Sequence, residues 1–113
     1  MPDLGEGALQ TTPSELVRWA DHYRKPLIGG PALLAAQLAD PVPTWPGGPP
    51  YAAGIHIGAD GGLWHPGSWI GYQSEFEVSA DRTRSLAVFC NDWNLDMRPV
   101  VNPLREIWIG PSA

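Results

Sequence analysis

An α+β fold is predicted for this chain: a single domain, residues 1–113, in which an antiparallel β-sheet meander carries flanking helices. Three features predict it. Apolar residues at helical spacing follow a capping signal near the N-terminus, the apolar period changes to two from Tyr51 onward, and helical spacing returns near the C-terminus. A domain of this length buries roughly two thirds of its unfolded surface, which allows one modest core.

Residues 1–12, with Gly5 and Gly7 among acidic residues, read as a loop. Thr12 is a suitable N-cap, Pro13 fits the first helical position, and Glu15 stands where a capping box requires it. A helix over 13–24 follows, with Leu16, Val17, Trp19, Ala20 and Tyr23 on one stripe, until Pro26, Gly29 and Gly30 stop it. A second helix over 31–38 opens at Pro31, buries Leu33, Leu34 and Leu38, and ends at Asp40 and Pro41. Over 41–50 the prolines 41, 43, 46, 49 and 50, with Gly47 and Gly48, exclude helix and central strand. An extended loop is expected there, with Trp45 tucked onto the core.

Segments 51–57 and 63–69 read as strands joined by a two-residue turn at Asp60-Gly61, which would set His56 opposite His65. In 72–79, Tyr72, Ser74, Phe76 and Val78 alternate with Gln73, Glu75, Glu77 and Ser79, so one face is buried and the other polar. The apolar run 85–91 reads as a central strand covered on both faces, reached through a polar turn over 80–84. A closing helix runs from 97 or 99 to 109, with Val100, Val101, Leu104, Ile107 and Trp108 on one side and Pro103 disturbing its first turn.

Composition removes several function classes. Hydrophobic residues at 43% against charged residues at 17% exclude a disordered acidic tail and leave apolar surface over. A net charge of -5, with the seven cations scattered and Lys25 the only lysine, argues against nucleic acid. Cys90 is the only cysteine, which excludes an internal disulfide and a Cys-based zinc site; its apolar surroundings predict a buried thiol. His56 and His65 with Asp60 or Asp92 fall short of a metal site, so neither metal nor cofactor is expected. His22 reads as a dipole partner at the end of the first helix. No apolar run is long enough for a membrane span, residues 1–10 lack the regions of a signal peptide, and a chain complete at Met1 would be cytoplasmic. Six tryptophans raise the possibility of a sugar-binding platform, but Trp19, Trp64 and Trp108 fall on faces predicted to be buried.

The most informative segment is Trp64-His65-Pro66-Gly67-Ser68-Trp69-Ile70-Gly71-Tyr72. It resembles the third motif of the serine β-lactamase and D-alanyl-D-alanine carboxypeptidase superfamily, in the variant where His replaces Lys. Gly7 to Leu16 resembles the family's glycine-rich entry to a capped helix, and Tyr51-Ala52-Ala53-Gly54-Ile55 its strand before the motif. Gly71 to Phe76 and Leu86 to Asn91 resemble the next two strands. The resemblance spans about residues 5–109 and implies a partial β-lactamase or transpeptidase-like fold. It implies that His65 lines the cleft and helps orient a general base, and that Gly67 lets substrate backbone approach. The backbone N–H of Ser68 would form half the oxyanion hole, with Trp69 and Tyr72 on the substrate side. Pro66 stands where Thr or Ser is common, which favours an amide or ester substrate without the usual carboxylate.

The family's Ser-x-x-Lys is absent, since His22 lies three residues before Lys25, and Tyr72-Gln73-Ser74 matches Tyr-x-Ser only within the strand after His65. The resemblance therefore implies a C-terminal part that is inactive alone. Such a part would expose a strand edge and an apolar face near Trp69 and Tyr72. Self-association or binding of a complementary N-terminal half would follow. Two other functions compete: a stand-alone domain binding a ligand or protein on the face around His65, Trp69 and Tyr72, and an unrelated aromatic-rich sugar-binding module.

Overall fold

The computed structural model describes Gly7 and residues 9–110, so the loop predicted over 1–12 falls in part outside the described residues. The elements are α1 (Pro13–Ala20) with a 3₁₀ turn (Asp21–Tyr23), α2 (Gly30–Leu38), β1 (Val42–Pro43), β2 (Pro50–Tyr51), β3 (His56–Ile57), β4 (Leu63–Trp69), β5 (Tyr72–Val78), β6 (Ser85–Cys90) and α3 (Arg98–Trp108). The six strands form one sheet in chain order, and every pair is antiparallel. The α+β meander with flanking helices is therefore present.

Local chemistry explains each element. Thr12 Oγ1 accepts from the Glu15 N–H at 3.2 Å, but the Glu15 carboxylate turns to Arg18 at 3.0 Å, so only half of the capping box forms. Beyond Ala20 the helix tightens into the 3₁₀ turn, which brings the Tyr23 ring beneath the sheet. The β4–β5 turn consists of Ile70 and Gly71, both at positive φ (42° and 86°), as the twist of a two-residue hairpin demands. Gly71 takes that conformation freely; Ile70, a β-branched residue, takes it under strain.

Alternation sorts the side chains of β4 and β5. Leu63 pairs with Val78, His65 with Phe76, Gly67 with Ser74 and Trp69 with Tyr72, all on the face covered by α1 and α2. Ala20, Tyr23, Ile55, Leu63, Phe76 and Val78 form the buried core there. Trp64, Pro66 and Ser68 project to the other face with Glu77, Glu75 and Gln73. On that face Arg105 of α3 donates from Nε to Glu77 Oε1 at 2.6 Å, and its Nη2 closes on the same oxygen. Met97 and Val101 are the buried apolar residues at the start of α3.

Several expectations are corrected. The strand expected over 51–57 is a tight hairpin: Gly54 sits at φ 82°, the Ala52 N–H donates to Ile55 O at 2.8 Å, and β2 and β3 pair with each other. Segment 41–50 is not simply a loop, because β1 and β2 pair across a turn closed from Gly48 N to Trp45 O. Their prolines are tolerated at a sheet edge. The Asp60-Gly61 dipeptide belongs to a five-residue loop, since Gly58 N–H bonds Gly62 O and Asp60 Oδ1 captures the Gly62 N–H. That shifts the register, and His56 pairs with Trp64 instead of His65.

Burial of the large side chains is also corrected. Trp45 is 61% exposed, Trp19 and Trp108 are exposed, and of the apolar side expected for the closing helix only Val101 is buried. Val100, Leu104 and Ile107 stay exposed. One layer of short helices is too little surface to cover them all. The second helix likewise buries no residue completely, although Leu34 and Leu38 pack against the core. The run expected as a central strand is the edge strand β6, its residues mostly half-buried, and Cys90 is a half-buried free thiol. Between 26 and 59 only Asp40 is an ionised acid or base type, so α2 and the β1–β3 corner present an uncharged surface with Leu27, Ile28, Leu33, Val42 and Trp45 exposed.

Two substitutions test this architecture. Ile70→Asn creates the Asn-Gly pair preferred in such turns and should stabilise the protein by about 1 kcal/mol, read as a higher urea midpoint at unchanged slope. Arg105→Met strands the Glu77 carboxylate beneath α3 and should cost about 3 kcal/mol, much of it recovered when Glu77→Leu is added.

Candidate functional site along strand β4

The site begins with the hydrogen-bond parity of β4. In an antiparallel ladder, successive residue pairs alternate between those that exchange backbone bonds and those whose N–H and C=O point away from the partner. The Ile70-Gly71 turn makes Trp69 and Tyr72 an exchanging pair, so Gly67–Ser74 and His65–Phe76 exchange as well. Pro66, which has no N–H, then falls on a non-exchanging position, the only kind a proline can occupy without loss. Ser68 shares that parity. Its N–H and C=O therefore point to the outer edge of β4.

Strand β3 covers that edge only at Leu63 and Trp64. Beyond Trp64 none of the six strands pairs with it, and Gly7, which forms an isolated β-bridge, lies beside its end, where an added Cβ would be 3.2 Å from the Trp69 ring. On the α1/α2 face His65 and Trp69 stand four residues apart, roughly 13 Å along the strand. Gly67 lies between them. The space above it is occupied by the Ser74 hydroxyl, 2.2 Å from an ideal Cβ position. Trp69 is 39% exposed and Tyr72, opposite it, is 64% exposed. The five residues that the resemblance assigns thus lie on one hairpin, but not all on one face. Ser68 projects its side chain to the α3 face, away from His65, so the two cannot form a serine–histidine pair.

At the other end of the site, four rings crowd the corner between β2, β3 and β4. Tyr51 Oη lies 2.9 Å from His65 Nε2. His56 stacks on Trp64 with centroids 4.1 Å apart and planes at 13°, and its ring centroid is 5.7 Å from that of His65. His56 is only 9% exposed and its Nδ1 has no hydrogen-bond partner among the described residues. Burial, reinforced by the neighbouring His65, holds its pKa below the ordinary histidine value. Sequence reasoning missed Tyr51, because a residue in the preceding strand signals no contact with His65 until the 52–55 turn folds it back. His56 was noticed, but in the wrong register.

The remaining candidates have structural partners. His22 Nε2 donates to Gln37 Oε1 at 3.1 Å and its ring stacks on Trp19, which ties α1 to α2. Two hollows flank Arg105 on the α3 face, away from His65. In one of them Glu75 has its pKa raised by burial and by Glu77. Among the described residues no three His, Cys, Asp or Glu side chains converge as a metal cluster would require, and no helix is long and apolar enough to cross a membrane.

The chain was compared with protein-family models, curated proteins and solved structures, and none of them matches it.

The depressed pKa of His56 has a definite consequence. A histidine whose folded-state value lies below its unfolded value contributes stability that is fully present above the unfolded value and is lost as pH falls from there through the folded value. The urea midpoint should therefore drop between pH 7.5 and 5.5, above the carboxylate range. In His56→Phe, which keeps a ring against Trp64, that drop should be smaller.

Proposed function

We propose that this chain is the C-terminal portion of a β-lactamase-related serine hydrolase. It contributes the His65 strand and half of an oxyanion hole to an acyl-transfer site whose serine lies on another segment. The observation that carries this reading is the parity of β4: the Ser68 N–H, three residues from His65, points to the outer edge of the strand, which none of the six strands covers beyond Trp64. A preorganised backbone donor at such an edge is what stabilises the oxygen of a tetrahedral intermediate. Its substrate would be a small amide or ester, since Pro66 supplies no hydroxyl to hold a carboxylate.

With Ser68 turned away from His65 and no Ser-x-x-Lys in the chain, the missing nucleophile comes from a complementary N-terminal half. The same surfaces, the open edge and the aromatic side chains of Trp69 and Tyr72, would otherwise favour self-association. A second reading, a stand-alone binding domain of the same descent, draws on the uncharged surface of α2 and the β1–β3 corner. An aromatic sugar-binding module is a weaker third. Reading the coding region upstream of Met1 for a Ser-x-x-Lys separates the first from both.

The isolated chain should turn over neither a chromogenic cephalosporin nor a short-chain nitrophenyl ester. Turnover abolished by Ser68→Ala would make Ser68 a nucleophile and defeat the assignment.

A further inference from the structure

His65 has two hydrogen-bond neighbours, and together they determine where its proton sits. Its Nδ1 faces the carbonyl oxygen of Pro66, an atom that can only accept. Nδ1 must then carry the hydrogen. In the neutral ring Nε2 is left as a bare acceptor, and the group 2.9 Å from it is the Tyr51 hydroxyl, which must donate. The Tyr51 ring is not free to swing away. It lies edge-on to His56 at 4.6 Å and tilted against His65 at 5.7 Å, and its backbone is paired both to Val42 and to His56.

We propose that Tyr51 is a positioning residue for His65: it holds the neutral imidazole as the Nδ1–H tautomer and answers a change in His65 charge by reversing the hydrogen bond between them. In the neutral state the phenol spends its hydrogen on Nε2 and presents only oxygen lone pairs outward. When His65 takes up a proton, that proton sits on Nε2 and donates to Tyr51 Oη. The phenol hydrogen then rotates about its C–O bond away from Nε2. No bond to carbon changes; the pair converts from an acceptor to a donor of hydrogen bonds. Its importance for acyl transfer rests on the assignment of His65 to the cleft strand, while the tautomer itself does not.

The test is nuclear magnetic resonance on the full ¹⁵N-labelled chain, with long-range proton–nitrogen correlations recorded where His65 is neutral. The expected spectrum has Nδ1 at a pyrrole-like shift and Nε2 at a pyridine-like shift. A hydrogen on Nε2 instead would overturn the proposal. In Tyr51→Phe the two shifts should converge as the tautomers mix, and an unchanged pattern in the folded variant would show that Pro66 alone sets the tautomer. Incorporating a fluorinated tyrosine covers the case in which Tyr51→Phe does not fold. The more acidic phenol keeps the ring packing and should move the Nε2 resonance further toward its hydrogen-bonded value; no movement would remove Tyr51 from the role. These resonances report on the ring and not on turnover, so their failure leaves the hydrolase assignment standing, and a failure of acyl transfer leaves the tautomer result intact.

Discussion

The register of the β4–β5 hairpin is the constraint on which the rest of the molecule depends. Ile70 and Gly71 at positive φ make the turn two residues long, and a turn of that length leaves one alignment of the strands. A slip of β4 by one residue would carry Leu63 out of the core and bring Trp64 into it. It would also move Pro66 onto a rung where an N–H is required. Core composition, turn chemistry and the position of a single proline therefore agree on one register, which is the kind of consistency that separates a specified fold from a merely compact one.

The two faces of the sheet are held by different physics. On the α1/α2 face Ile55, Leu63, Phe76 and Val78 are nearly fully buried, at about 1.5–3 kcal/mol for each large apolar side chain. On the α3 face Glu77, 8% exposed, and Arg105 form a desolvated ion pair, with apolar contact chiefly at Met97 and Val101. Such a pair adds little net stability over an apolar replacement, but it dictates where along the strand the helix sits. Arg84 donating to Trp108 O and Trp108 Nε1 donating to Ser85 O secure the other end of the same helix. The pairs Glu15–Arg18, Asp21–Arg24 and Asp96–Arg98 lie in solvent and add little stability.

Element type was legible in the sequence wherever a period was long enough to read. The helices at 13, 30 and 98 and the strands at 63, 72 and 85 follow from spacing, caps and breakers. Short-range competition was not legible. Asp60-Gly61 is a good two-residue turn by composition, yet the Asp60 carboxylate bonds to Gly62 and widens it. Ala53-Gly54 sits in a run that alternates like a strand, yet Gly54 at positive φ folds it into a hairpin that Gln37 of α2 ties down from both its backbone and its side chain. Exposure of Trp19, Trp45 and Trp108 was misjudged because an apolar stripe states which side of an element prefers burial, and not whether another element is there to bury it. At the candidate site the residues of the motif could be named from sequence. The split of their side chains between two faces follows from parity alone, whereas the contact between Tyr51 and His65 needed the corner to be folded.

Pro66 has one more effect, on encounters between chains. A strand joining the outer edge of β4 would look for an N–H from residue 66 and another from residue 68, and would find only the second. Every stacked copy would lack the same donor at the same level, so a continuous cross-β ladder cannot propagate through this edge without a defect at each step. The outer edge of β4 is thus interrupted against amyloid-like growth while it keeps the donor at Ser68. The outer edge of β6, which ends the sheet, has no such proline to interrupt it.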